Sequence, residues 1–121
     1  MVPIVTIDGP SGSGKGTIAK ALALRLNWNY LDSGLLYRCF AFLHNQDIDN
    51  ISEAFSRIEH KYDYESEDIL FDGDNITSII RGKEITVLSS QLSQKSDVRE
   101  QLMQIQKQYR KLPGLVAEGR D

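Results

Sequence analysis

The chain has 121 residues, enough for one hydrophobic core and too few for two ordinary domains. Hydrophobic residues make up 40%, charged residues 26%, and the formal net charge is -3, which speaks against the basic surface of a nucleic-acid binder. The single cysteine, Cys39, allows no internal disulfide, no apolar run reaches membrane-spanning length, and MVPIVTI lacks the basic flank of a signal peptide. A cytoplasmic protein with no membrane or nucleic-acid partner is the expectation.

In chain order, PIVTIDG is a short β-branched run that predicts a strand buried on both faces. KGTIAKALALRLN predicts a helix with Ile18, Ala21, Leu22 and Leu26 on its buried face and Asn27 at its stop. WNYLDSG reads as a second strand. LLYRCFAFLHNQ reads as a second helix, with an apolar stripe through Leu36, Phe40 and Leu43 and Cys39 packed beside it. Strand, helix, strand, helix is the pattern of a parallel sheet with right-handed crossovers.

The middle changes character. From Lys61 to Glu84 the chain is acidic and then alternating, with turn signals at 72–75 and 81–82, which predicts a small antiparallel insertion. SDVREQLMQIQKQYRKLPG then predicts a helix entered at Ser96 and Asp97, with Val98, Leu102, Ile105, Tyr109 and Leu112 inward. LVAEGRD predicts a third buried parallel strand with charges at its carboxyl end. A three-stranded parallel sheet with an uncovered edge reads as the amino-terminal part of a longer protein. His44 and His60 lack partners at ligand spacing and read as surface residues.

Between the first strand and the first helix lies IDGPSGSGKGT, and Gly9, Pro10, Ser11, Gly12, Ser13, Gly14 and Lys15 match the phosphate-binding loop pattern. Glycine lets consecutive N–H groups turn inward around a phosphate, the following helix adds its unpaired N–H groups, and Lys15 adds a mobile full charge. The plainer reading, a glycine-rich turn with a solvated lysine, does not account for the strand before, the helix after and the lysine in register. Gly16 departs from the pattern, because it offers no hydroxyl to Mg²⁺, and Thr17 follows one residue later.

GKGT resembles the loop of nucleoside monophosphate kinases. Together with DSGLLYR and EGRD, it is similar to the bacterial cytidylate kinase family, whose members read TIDGPSGxGKGT, LDSGxxYR and LPGLxxxGRD in that order. The resemblance covers essentially the whole chain. It implies an α/β fold, a P-loop parallel sheet with flanking helices and a small antiparallel β insertion, incomplete at its carboxyl-terminal side. The implied divisions are 1–60 (P-loop core), 61–86 (insertion) and 87–121 (helices and third core strand). It implies ATP-dependent phosphorylation of CMP and dCMP by a monomer, with Mg²⁺ accompanying ATP and no residue directly assigned to the metal.

By the same resemblance, Gly9 to Thr17 hold the ATP phosphates, with Lys15 reaching the transferred group, and Arg38 and Arg120 grip the acceptor phosphate. Ser33 lies near the acceptor, while Ser90, Arg99 and Asp121 read the cytosine edge; Ser89 is adjacent to Ser90. Plainer readings exist for each: Ser33 as a helix cap, Arg38 and Arg99 as solvated faces, Arg120 and Asp121 as a mutual pair. Members of the family add arginines from a lid in their carboxyl-terminal half, so little kinase activity is expected of these 121 residues alone. Two alternatives are a P-loop kinase of another small molecule and a non-enzymatic ATP-binding module.

Overall fold

The computed structural model describes residues 1–10 and 14–119. β1 (Ile4–Ile7) leads into α1 (Lys15–Leu26), followed by β2 (Asn29–Asp32) and α2 (Ser33–Asn45). The last strand, β6 (Leu115–Glu118), inserts between the first two, giving a parallel sheet of order β1-β6-β2. Ile7, Glu118 and Asp32 stand side by side at the carboxyl ends of the three strands. Successive strand side chains alternate, so Glu118 and Asp32 share the face that also carries Val116 and Tyr30.

α1 packs on that sheet, though not with the face its bulky residues suggest. Ala19 and Ala23, one turn apart, are fully buried, whereas Ile18 is 57% exposed and Leu26 41% exposed. Small residues let the helix axis approach the strands closely, so the alanines take the contact and the larger side chains turn outward. Asn27 stops the helix as expected, in the left-handed region at φ 56°, with its N–H bonded back to the last turn. β1 also differs from the expectation of burial on both faces. Among the described residues it pairs with β6 alone, and Ile4 and Thr6 are exposed. Ile4 and Thr6 share one face of the strand, and the described residues leave that face open.

The chain forms two compact units, residues 1–34 with 103–121, and residues 35–102. In the second unit Leu36, Phe40, Leu43 and Cys39 are buried on α2. α3 (Ile51–Ala54), capped by the Asn50 side chain, and a single 3-10 turn at 55–57 lead to an antiparallel sheet. Its strands are β3 (Ile58–Tyr62), β4 (Glu67–Phe71) and β5 (Asp74–Asn75), in that order. The Asp63 carboxylate accepts from the N–H groups of Glu65 and Ser66 at 2.8 and 2.7 Å, closing the first hairpin, and Asp72-Gly73 closes the second.

Beyond Asn75 the alternating reading fails, because α4 (Thr77–Ile80) and α5 (Lys83–Leu92) are helical. The buried residues there are spaced helically within each element, Ile76 and Ile80 four apart, and Ile85, Ser89 and Leu92 four and three apart. α6 (Ser96–Lys107) buries Val98, Leu102 and Ile105 as expected, but Tyr109 is only half-buried and Leu112 is 72% exposed. The helix ends at Lys107 and residues 108–111 turn, so helical spacing no longer decides what faces inward. His60 is not a free surface residue either: its Nε2 lies 2.8 Å from Glu67 Oε2, with both side chains mostly buried.

Candidate functional site

The site starts from the junction of loop and helix. Gly14 takes φ 83° and ψ 10°, a conformation that strains any residue with a Cβ, and from it the chain enters α1 directly. No side-chain oxygen caps α1 among the described residues, and its first turn holds Lys15, Gly16 and Thr17 with no acidic residue. Among the described residues nothing caps the first N–H groups of α1, which with the positive end of its dipole give the chemistry of an anion site. Gly9 and Pro10 precede the junction; Ser11, Gly12 and Ser13, on which the cradle reading also rests, lie outside the described residues.

Lys15 Nζ lies 3.9 Å from Glu118 Oε1, with the Lys15 side chain 26% exposed and that of Glu118 12% exposed. This contact is looser than a hydrogen bond. Glu118 was assigned no role from sequence, yet it reaches the loop: a Cβ placed on Gly16 would stand 3.4 Å from Glu118 Oε2. The signal for it lies in strand order rather than in any motif, since only the insertion of β6 beside β1 brings Glu118 opposite Ile7.

Ser33 is buried, and its hydroxyl donates to the Glu118 carbonyl at 3.1 Å. Gly119, at φ 89°, donates its N–H to the Ile7 carbonyl at 3.2 Å, and a Cβ there would collide with Ser33 Oγ. The end of β6 is thereby pinned by β1 on one side and by the first residue of α2 on the other. Arg120 and Asp121 follow it and lie outside the described residues.

The remaining predicted residues fall in the second unit. Arg38, on α2, is half-buried and makes no hydrogen bond or ion pair among the described residues. Ser90 and Arg99 converge on one connection: Arg99 donates to the carbonyls of Ser93 and Gln94 at 3.4 Å, and Ser93 Oγ donates to the Ser90 carbonyl at 2.7 Å. Ser90 is exposed, whereas Ser89 is buried, so Ser90 is the one of the pair open to a ligand. Among the described residues no three His, Cys, Asp or Glu side chains form a metal cage, and no helix is long and apolar enough to cross a membrane.

Residues 5–121 match the family model described as cytidylate kinase. The chain belongs to the cytidylate kinase family. Curated relatives agree: the chain is 42% identical to a cytidylate kinase of Pseudomonas fluorescens over 131 residues, which covers 100% of this chain and 57% of that protein. It is 44% identical to one of Stutzerimonas stutzeri, covering 99% and 57%, and 40% identical to one of Erwinia tasmaniensis, covering 98% and 56%. The chain thus spans little more than half the length of these relatives, as fits a partial version of the family's fold.

Proposed function

We propose that this chain supplies the donor-phosphate cradle and part of the acceptor site of a kinase that transfers the γ-phosphoryl group of ATP to CMP or dCMP. The observation that carries the reading is a helix N-terminus with no side-chain cap among the described residues, entered through left-handed Gly14 and opening on Lys15, in a chain of the cytidylate kinase family. Gly9 to Thr17 wrap the ATP phosphates, and Lys15 exchanges its loose contact with Glu118 for the transferred group. Arg38 and Arg120 grip the acceptor phosphate, for which the planar guanidinium fork suits two parallel hydrogen bonds. Ser33 borders the acceptor, while Ser90, Arg99 and Asp121 face the cytosine edge, where a carboxylate acceptor opposite the exocyclic amine favours cytosine over uracil.

The chemistry asks for positioning and charge neutralisation rather than a strong base, because the acceptor phosphate is already an anionic nucleophile at neutral pH. Mg²⁺, when bound with ATP, neutralises charge on the β- and γ-phosphates. The residues present fit a largely hydrated ion held mainly by the nucleotide, since Gly16 has no hydroxyl and one carboxylate stands close by. Lys15 and the arginines then meet the charge that spreads over the phosphoryl oxygens.

Replacing Arg38 by Met in the full-length protein is expected to raise KM for CMP about 10- to 100-fold, the worth of a charge-assisted hydrogen bond. KM for ATP should stay within about two-fold. An unchanged KM for CMP, or an equal rise for ATP, would sink the assignment. Steady-state assays with CMP, dCMP, UMP and AMP separate the proposal from a kinase of another small molecule.

A further inference from the structure

We propose that Ser93 is a positioning residue for the acceptor base: it holds Ser90 and Arg99 in one frame and thereby sets the preference for CMP over UMP. The inference rests on the acceptor-site reading above and extends it to a residue that itself touches no ligand.

Ser93 directly follows α5, where the chain turns toward α6. Its hydroxyl donates to the Ser90 carbonyl at 2.7 Å. Its own carbonyl accepts from Arg99 Nη1 at 3.4 Å, as does the carbonyl of Gln94. One residue is therefore bonded to both candidate readers of the base. The connection around it is closed main chain. The N–H groups of Ser93, Gln94 and Lys95 donate back to the carbonyls of Ser89, Gln91 and Leu92 at 3.0, 3.2 and 3.0 Å. Leu92 and Val98, each 4% exposed, anchor the connection on either side.

The frame leaves the reading groups open. Arg99 spends only Nη1 on carbonyls, so its Nη2 and Nε donors are engaged by nothing among the described residues. The Ser90 hydroxyl is likewise unengaged there, and Ser90 is exposed. The carbonyl end of α5 carries the negative end of its dipole, which favours a guanidinium. A planar fork held along one edge has a fixed aim. Cytosine offers acceptors at N3 and O2, whereas uracil carries an N–H at N3. A donor aimed at that edge is paired in CMP and opposed in UMP, and an arginine free to swing aside loses the distinction. A plainer role, in which Ser93 only back-bonds to close the last turn of α5, predicts equal losses for the two substrates.

The test is steady-state kinetics of the full-length protein with CMP and UMP at saturating ATP and Mg²⁺. The readout is the ratio of kcat/KM for CMP to that for UMP. In Ser93→Ala this ratio is expected to fall about three- to ten-fold, the net worth of one hydrogen bond, with KM for ATP within about two-fold of wild type. Ser93→Thr keeps a hydroxyl able to back-bond and should hold the ratio within about two-fold. An unchanged ratio in Ser93→Ala, or an equal fall for both substrates, overturns the proposal. So does a ratio that Ser93→Thr lowers as far as Ser93→Ala. Arg99→Met tells the two levels apart. If it leaves the ratio unchanged, the cytosine-edge reading itself falls; if it lowers the ratio while Ser93→Ala does not, only the role of Ser93 is lost.

Discussion

Residues 35–102 answer several of their polar side chains from within. Thr77 Oγ1 accepts from the Ile69 N–H at 2.8 Å, His60 meets Glu67, Asp63 closes its own turn, and Arg57 pairs with Asp72 at 3.0 Å while covering the Phe71 ring. The parallel-sheet unit treats its polar groups differently. At the mouth of its glycine loop it sets Lys15 at 3.9 Å from Glu118, both side chains mostly buried, whereas the 3.9 Å pair of Lys61 and Glu59 in the other unit lies in solvent. Close pairs hold a shape, whereas the carboxyl ends of parallel strands are where ligands of such sheets commonly bind. Arg38 departs from that pattern, as a half-buried guanidinium with no hydrogen bond or ion pair among the described residues.

Three perturbations separate the two behaviours. The largest expected effect is in the parallel-sheet unit. Gly114 lies against the Trp28 indole, and its carbonyl accepts from both the backbone N–H and the side chain of Asn29, at 2.9 and 3.1 Å. Gly114→Ala drives a methyl into an aromatic ring that the backbone cannot move away from, and should destabilise by about 3 kcal/mol in urea unfolding. A loss below about 1 kcal/mol would mean that this packing gives way.

Thr77→Val comes next. It keeps the shape and strips the partner from the buried Ile69 N–H, for an expected loss of about 1–2 kcal/mol. Its affinity for ATP should not change, and a shift beyond about two-fold would break the division between a holding unit and a binding one.

The smallest effect depends on pH. Burial, reinforced by the Glu67 carboxylate, raises the Tyr62 hydroxyl above its ordinary value of 10.0. The unfolded chain therefore ionises this tyrosine first. The stabilisation is complete below about pH 10 and is lost as pH rises through the folded-state value. Thermal melting across that range should show a fall in Tm that Tyr62→Phe flattens. An identical fall in the variant would assign the effect to other groups.

Much of this was legible in one dimension, where chemistry is local. The strand–glycine loop–helix junction, the stop at Asn27 and the stripe through Leu36, Phe40 and Leu43 all depend on residues within a few positions of one another. The three sequence blocks sufficed to place the chain in its family. The misreadings share one cause. Ala19 and Ala23, rather than Ile18 and Leu26, face the sheet because close approach of a helix to strands rewards small residues. Ile4 is exposed on a face of β1 that the described residues leave open, and Thr77 to Ile80, with Lys83 and Glu84, wind into helices where alternation was expected.

By itself the sequence determined the strand–helix order of the parallel-sheet core, the strand–glycine loop–helix junction and the kinase family, since each is written in contiguous residues. Tertiary structure alone decided that the last strand runs between the first two. That insertion carries Glu118, more than a hundred residues along the chain from the loop, to the side of Gly16 and Lys15. Strand order is set by which faces bury best together, a property of the whole sheet and of no segment within it.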